Sequence, residues 1–136
     1  MQSKVHMAVI AALATLTACA TPHAGPVCRL PSHEMNRVEL LFAAATNDGK
    51  SIDAKQWQDF LDAEVTPRFP AGLTAYEAYG QWRDAGGKIE KSPSRVLLIW
   101  YEGDASVRID AIREAYKKRF AQDSVMRVDG KDCVSF

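Results

Sequence analysis

The sequence has no surplus of charge of either sign. It carries 17 Lys and Arg against 17 Asp and Glu. That balance argues against a nucleic-acid binder, which needs a basic face for the phosphates. No block of like charges forms an interaction tail. Histidine is scarce, three in 136 residues, and only His33 falls in the part expected to fold. A Ser–His–acid triad has almost nothing to be built from. A Gly-rich phosphate loop, His-Glu-x-x-His and G-x-S-x-G are all missing. So are repeats and low-complexity segments. The three cysteines, at positions 19, 28 and 133, do not form two pairs at zinc spacing, and His23 and His33 stand at no ligand spacing. No catalytic residue, metal or other cofactor is assigned.

What is present begins with a leader. Met1 to His6 carries Lys4, and Met7 to Leu16 (MAVIAALATL) is uncharged. Ten residues are too few to span a bilayer, which takes roughly 20. They fit the apolar core of a signal peptide. Leu16-Thr17-Ala18-Cys19 resembles the lipobox of bacterial lipoproteins. The resemblance implies cleavage after residue 18, a diacylglyceryl group on Cys19 and a close to permanent hold on a membrane. The alternative is an ordinary secretory peptide with a chance cysteine. Ala20 stands where an Asp tends to retain lipoproteins in the inner membrane. The expected place is therefore the periplasmic side of the cell envelope, the outer membrane before the inner. Residues 19–27 form a short tether, rich in Pro, Ala and Gly, whose last eight residues reach at most roughly 28 Å.

The remainder, residues 28–136, has the length of one domain. Hydrophobic residues at 47% and charged residues at 25% are ordinary for a soluble globular fold. Val38, Leu40, Phe42 and Ala44 alternate, which predicts a strand over 37–46. Asn47 to Lys50 is a turn. Asp53 and Gln56 make a capping box, Ile52 can pack on Trp57, and Trp57, Phe60, Leu61 and Val65 form the apolar stripe of a helix that Pro67 stops. Leu73 to Arg83 predicts a strand rich in aromatics, and residues 85–88 a turn, with Ser92-Pro93 as an interruption. Arg95 to Glu102 is a central strand. Residues 105–121 form a second helix with Ile109, Ile112, Tyr116 and Phe120 buried, and cations at its C-terminal end that suit the dipole. Ser124 to Val128 is the last main strand, followed by a turn at Asp129-Gly130-Lys131.

This order, β-α-β-β-α-β, predicts an α+β fold: a single antiparallel sheet with two helices on one face, ferredoxin-like. The first and last strands are then neighbours, which brings Cys28 and Cys133 together. An exported chain meets an oxidising compartment, so a disulfide is expected, with two buried thiols as the alternative. The central strand presents Val96, Leu98 and Trp100 to one face and Leu97, Ile99 and Tyr101 to the other. The face without helices needs cover, from a homodimer packed sheet to sheet or from an apolar ligand.

Two stretches are candidates for ligand binding. Glu64, Thr66 and Arg68 lie in a loop stiffened by Pro67, Pro70 and Gly72, which could grip an anion. The plainer alternative pairs Arg68 with Glu64 and packs Phe69 inward. Gln81, Trp82 and Arg83 could stack on and hydrogen-bond a planar or sugar-like ligand. Their plainer alternative is a strand with Trp82 in the core. Lys117, Lys118 and Arg119 read as a solvated face.

Several of these residues carry a resemblance. Trp57, Phe60-Leu61, Val65-Thr66-Pro67-Arg68-Phe69-Pro70, Gly72-Leu73-Thr74, Gly80-Gln81-Trp82-Arg83, Tyr116-Lys117, Phe120, Ser124-Val125, Arg127-Val128 and Cys133 resemble the family of small exported bacterial proteins catalogued as domain of unknown function 3574. The likeness spans about residues 37–136. That family has no established activity, so the resemblance implies no reaction. The expectation is a non-catalytic envelope module for binding or assembly. The alternative is a periplasmic small-molecule enzyme using Glu64 with Arg68 or Arg83, which requires those side chains to converge on one pocket.

Overall fold

The computed structural model describes residues 27–136. The signal segment, Cys19 and the tether up to Pro26 lie outside the described residues. Four strands and two α-helices run β1 (His33–Ala43), α1 (Ala54–Phe60), β2 (Thr74–Arg83), β3 (Ile89–Tyr101), α2 (Ser106–Phe120) and β4 (Met126–Val134). The sheet order is β2-β3-β1-β4, and every neighbouring pair is antiparallel. This is the expected α+β, ferredoxin-like arrangement, with the helices on one face.

Local chemistry explains the elements. Alternation on β1 sends Val38, Leu40 and Phe42 into the core, all fully buried. The Asp53 carboxylate accepts the Gln56 backbone N–H at 2.7 Å, and the Gln56 side chain accepts the Asp53 N–H at 2.9 Å. This reciprocal cap starts α1. We expect Asp53→Ala to destabilise the domain by about 1 kcal/mol, read as a lowered urea midpoint at constant slope. The helix does not run uniformly to Pro67. Leu61–Val65 is a π-helical turn, in which the Thr66 N–H donates to the Leu61 carbonyl at 2.9 Å. Leu61 and Val65, at either end of this turn, are both buried. In α2 the stripe of Ile109, Ile112, Tyr116 and Phe120 is buried as its spacing predicts.

Aromatic rings centre the core. Phe42 lies 4.5 Å from Tyr116, 5.2 Å from Trp57 and 6.0 Å from Phe60, centroid to centroid. Leu97 and Ile99 of β3 close it from the sheet side.

The strands are longer than the sequence suggests. Pro93 does not interrupt β3. Its carbonyl accepts the Ala44 N–H at 3.0 Å, so its nitrogen faces the same neighbour, where β1 ends. The Ala44 carbonyl, which a non-proline residue there would have served, accepts the Ile52 N–H at 2.9 Å instead. Every backbone group in that exchange has a partner, which is why proline is tolerated. Asp129-Gly130-Lys131 is not a turn either. These residues continue β4 opposite Val38, Arg37 and Asn36. The Arg37 guanidinium lies across Gly130, where a Cβ would stand 2.8 Å from Nη2. The glycine marks a close approach. The same pairing draws the start of β1 back to His33, opposite Val134. Cys28 and Cys133 are joined by a disulfide, with Cα atoms 5.3 Å apart.

Candidate functional site

The first candidate stretch is engaged internally. Arg68 Nη1 donates to the Glu64 carboxylate at 2.9 Å and to the Glu64 carbonyl at 2.6 Å. Phe69 is buried against Tyr101. The Arg68 carbonyl accepts from Arg108 at 2.9 Å, and that guanidinium lies over the Phe69 ring. Thr66 is exposed. The loop therefore fastens the approach to β2 onto the first turns of α2, as the plainer alternative describes.

The second candidate stretch sits at the far end of β2. Thr74 pairs with Leu98, Gln81 with Lys91 and Arg83 with Ile89. At roughly 3.3 Å per residue, Arg83 lies roughly 30 Å along the strand from Thr74, and Gln81 roughly 23 Å. Glu64 and Arg68 are brought together; Gln81 and Arg83 are not brought to them. Trp82 points to the other face from Gln81 and Arg83. It is 53% exposed and does not sit in the core, because among the described residues its face of the sheet carries no helix.

That uncovered face gathers apolar side chains. Trp82, Met126 at 60% exposure, Tyr76 and Val128 stand on it in solvent. Leu41, Val96, Leu98 and Trp100 lie between them by register. Trp82, Gly80, Leu41 and Met126 border a groove of about 420 Å³ there. Beside the apolar strip runs a polar row. The Trp100 indole donates to Asp132 at 2.9 Å, and Arg37 pairs with Glu39 at 3.2 Å and Asp132 at 3.5 Å.

A second place of interest lies on the helix side. Arg95 is only 6% exposed and donates through Nη2 to the Ile52 carbonyl at 2.8 Å. Its guanidinium lies 5.4 Å from the Trp57 ring centroid. Arg95 lines a cleft of about 470 Å³ together with Ser51, Glu77 and Tyr79. The sequence hides it, since Arg95 merely heads an apolar run. The available signal is the lone charge at the start of an otherwise apolar central strand.

Tyr116 is the strongly shifted titratable group near this cleft. It donates to the Ala43 carbonyl at 2.8 Å. Burial pushes its hydroxyl from 10.0 up to about 12, against the opposing pull of the Arg95 guanidinium. The unfolded chain therefore releases this proton first as pH rises. Stability from Tyr116 is complete below the unfolded value and is lost as pH climbs through 10.0 towards about 12. We expect Tyr116→Phe to lose about 1 kcal/mol at neutral pH and to show a shallower alkaline decline. Urea midpoints of both proteins from about pH 8 to about pH 11 check this.

Over the described residues, fold and surface define an α+β domain whose sheet has one face under helices and the other uncovered. The chain belongs to the family described as Protein of unknown function (DUF3574), whose model matches residues 37–136. No curated protein matches the sequence. Among solved structures, it is similar to a phage SAM lyase in complex with S-methyl-5'-thioadenosine, at 13% identity and a TM-score of 0.57, covering 75% of this chain and 88% of that one. The apo state of a phage SAM lyase is similar at 13% identity and a TM-score of 0.56, covering 76% and 89%. At that identity the likeness concerns the fold alone.

Proposed function

We propose that this protein is a lipid-anchored envelope module that acts without catalysis, assembling with a second copy of itself through the uncovered face of its sheet. One observation carries the reading: Tyr76, Trp82, Met126 and Val128 stand exposed on a face that no element of the described chain covers. Four strands about 4.8 Å apart and roughly ten residues long present a flat footprint of roughly 600 Å². Side-chain relief brings that near the roughly 800 Å² per partner of a standard interface. The polar row supports self-association. Arg37, Glu39 and Asp132 offer both charges on one face, as a two-fold interface requires of a surface that must complement itself. A periplasmic enzyme using Glu64 with Arg68 or Arg83 is the second reading, and a lyase on a similar fold is its support. Against it, Arg68 already donates to Glu64, and Arg83 belongs to the other end of β2.

The test is photocrosslinking in intact envelopes, with a benzophenone-bearing amino acid in place of Met126. The expected product is an adduct of twice the mass of the chain, absent when Lys118 is replaced instead. An adduct to a different protein, or none, overturns the assembly reading. The anchor is tested separately. Cys19→Ser should abolish labelling by radioactive palmitate and move the protein out of the membrane fraction. Unchanged labelling of the variant would refute Cys19 as the lipid site, and an unlabelled wild type would refute the lipid anchor.

A further inference from the structure

We propose that the cleft over Arg95 binds a small zwitterion such as a free amino acid, its carboxylate on the Arg95 guanidinium and its ammonium on Glu77. Arginine cannot escape burial by losing its proton. Burying its charge without an opposite one is costly. Arg95 nevertheless makes no ion pair among the described residues, and its Nη1 is buried with no hydrogen-bond partner. The Ile52 carbonyl, the Trp57 face and the nearby Tyr116 hydroxyl, none of them charged, satisfy it only in part. Glu77 is its register partner on β2. Cross-strand partners have Cβ atoms about 5 Å apart, yet the two charges do not meet. Arg95 turns inward under Trp57, while Glu77 stays exposed at the rim of the cleft. A cation at the floor and an anion at the rim suit a ligand with both charges a few bonds apart. A simple anion would meet Glu77 and a simple cation would meet Arg95, each with repulsion. Tyr79, 77% exposed on the same rim, offers a ring for the ligand's side chain. The cleft is on the helix side, so assembly through the other face leaves it open, and the inference does not depend on that assembly.

The experiment is titration calorimetry on the full chain as its host processes it. The probes are the free amino acids, their N-acetyl derivatives and their carboxamides. Saturable binding of at least one free amino acid is expected, with both of its derivatives weaker by roughly tenfold or more. Arg95→Lys keeps the charge but loses the two-pronged donor, and should weaken binding by a similar factor. Glu77→Gln, at an exposed position, keeps the variant set informative if Arg95→Lys fails to fold. It should weaken the free amino acid and spare or improve the N-acetyl form. No saturable binding of any free amino acid overturns the proposal. So does equal affinity for the N-acetyl form, or a Glu77→Gln variant that binds the free amino acid as wild type does.

Discussion

Removing the Cys28–Cys133 bond, as the Cys28→Ser/Cys133→Ser double variant, lowers the stability of the domain by about 2–5 kcal/mol. The bond closes a loop of sequence separation 105. For loops of about 100 residues, the chain-entropy model places the effect near 4.7 kcal/mol, and native strain or residual structure reduces it. Small domains have roughly 5–15 kcal/mol in total, so the loss is a large share. The measurement is urea unfolding of wild type with and without reductant, beside the double variant. Reductant should bring wild type down to the variant's midpoint. If reductant leaves the wild-type midpoint unmoved, the bond does not stabilise the fold.

Phe42→Ala is the second large effect, at about 3–5 kcal/mol. Phe42 has no exposed surface and touches rings from both helices. Trp57 and Phe60 come from α1 and Tyr116 from α2. Truncation removes the ring that both helices share, and the surrounding aromatics are too rigid to fill the space. Met126→Ala on the uncovered face is the natural control. Its side chain is mostly solvated in the single chain, so its cost to the unfolding of that chain should stay within about 0.5 kcal/mol. Denaturation of both variants with the disulfide intact checks the contrast. Equal effects would mean that the aromatic cluster is not the centre of the core.

Where packing repeats, the sequence showed it. Val38, Leu40 and Phe42 alternate because a sheet has two faces, and Ile109, Ile112, Tyr116 and Phe120 recur at the pitch of a helix. Asp53 and Gln56 announced a cap that is present atom for atom. Pro93 and Gly130 misled for one shared reason. Each is a breaker by local rule, and each is made acceptable by a residue far away in sequence. Ile52 takes over the carbonyl that Pro93 cannot serve, and Arg37 occupies the space that a side chain at Gly130 would fill. Nothing local announces such partners. The candidate residues follow the same pattern. Arg68 with Glu64 is an i, i+4 contact and legible as one alternative. Trp82 looked like a core residue by alternation, but alternation does not say which face the helices cover. Arg95 was missed because its surroundings come from the turn before α1 and from β2, which only the folded sheet brings together.

The disulfide also decides how the domain bears tension. β4 is an edge strand that pairs with β1 alone, and an edge strand peels most readily from a free end. Here the C-terminal end of β4 is bolted to the segment that leads into β1. A pull arriving from the N-terminal side, as a lipid anchor would deliver it, meets Cys28 first and passes through sulfur to Cys133. The load then enters two adjacent strands at once, where a reduced chain would take it through β1 alone and leave the end of β4 free to fray.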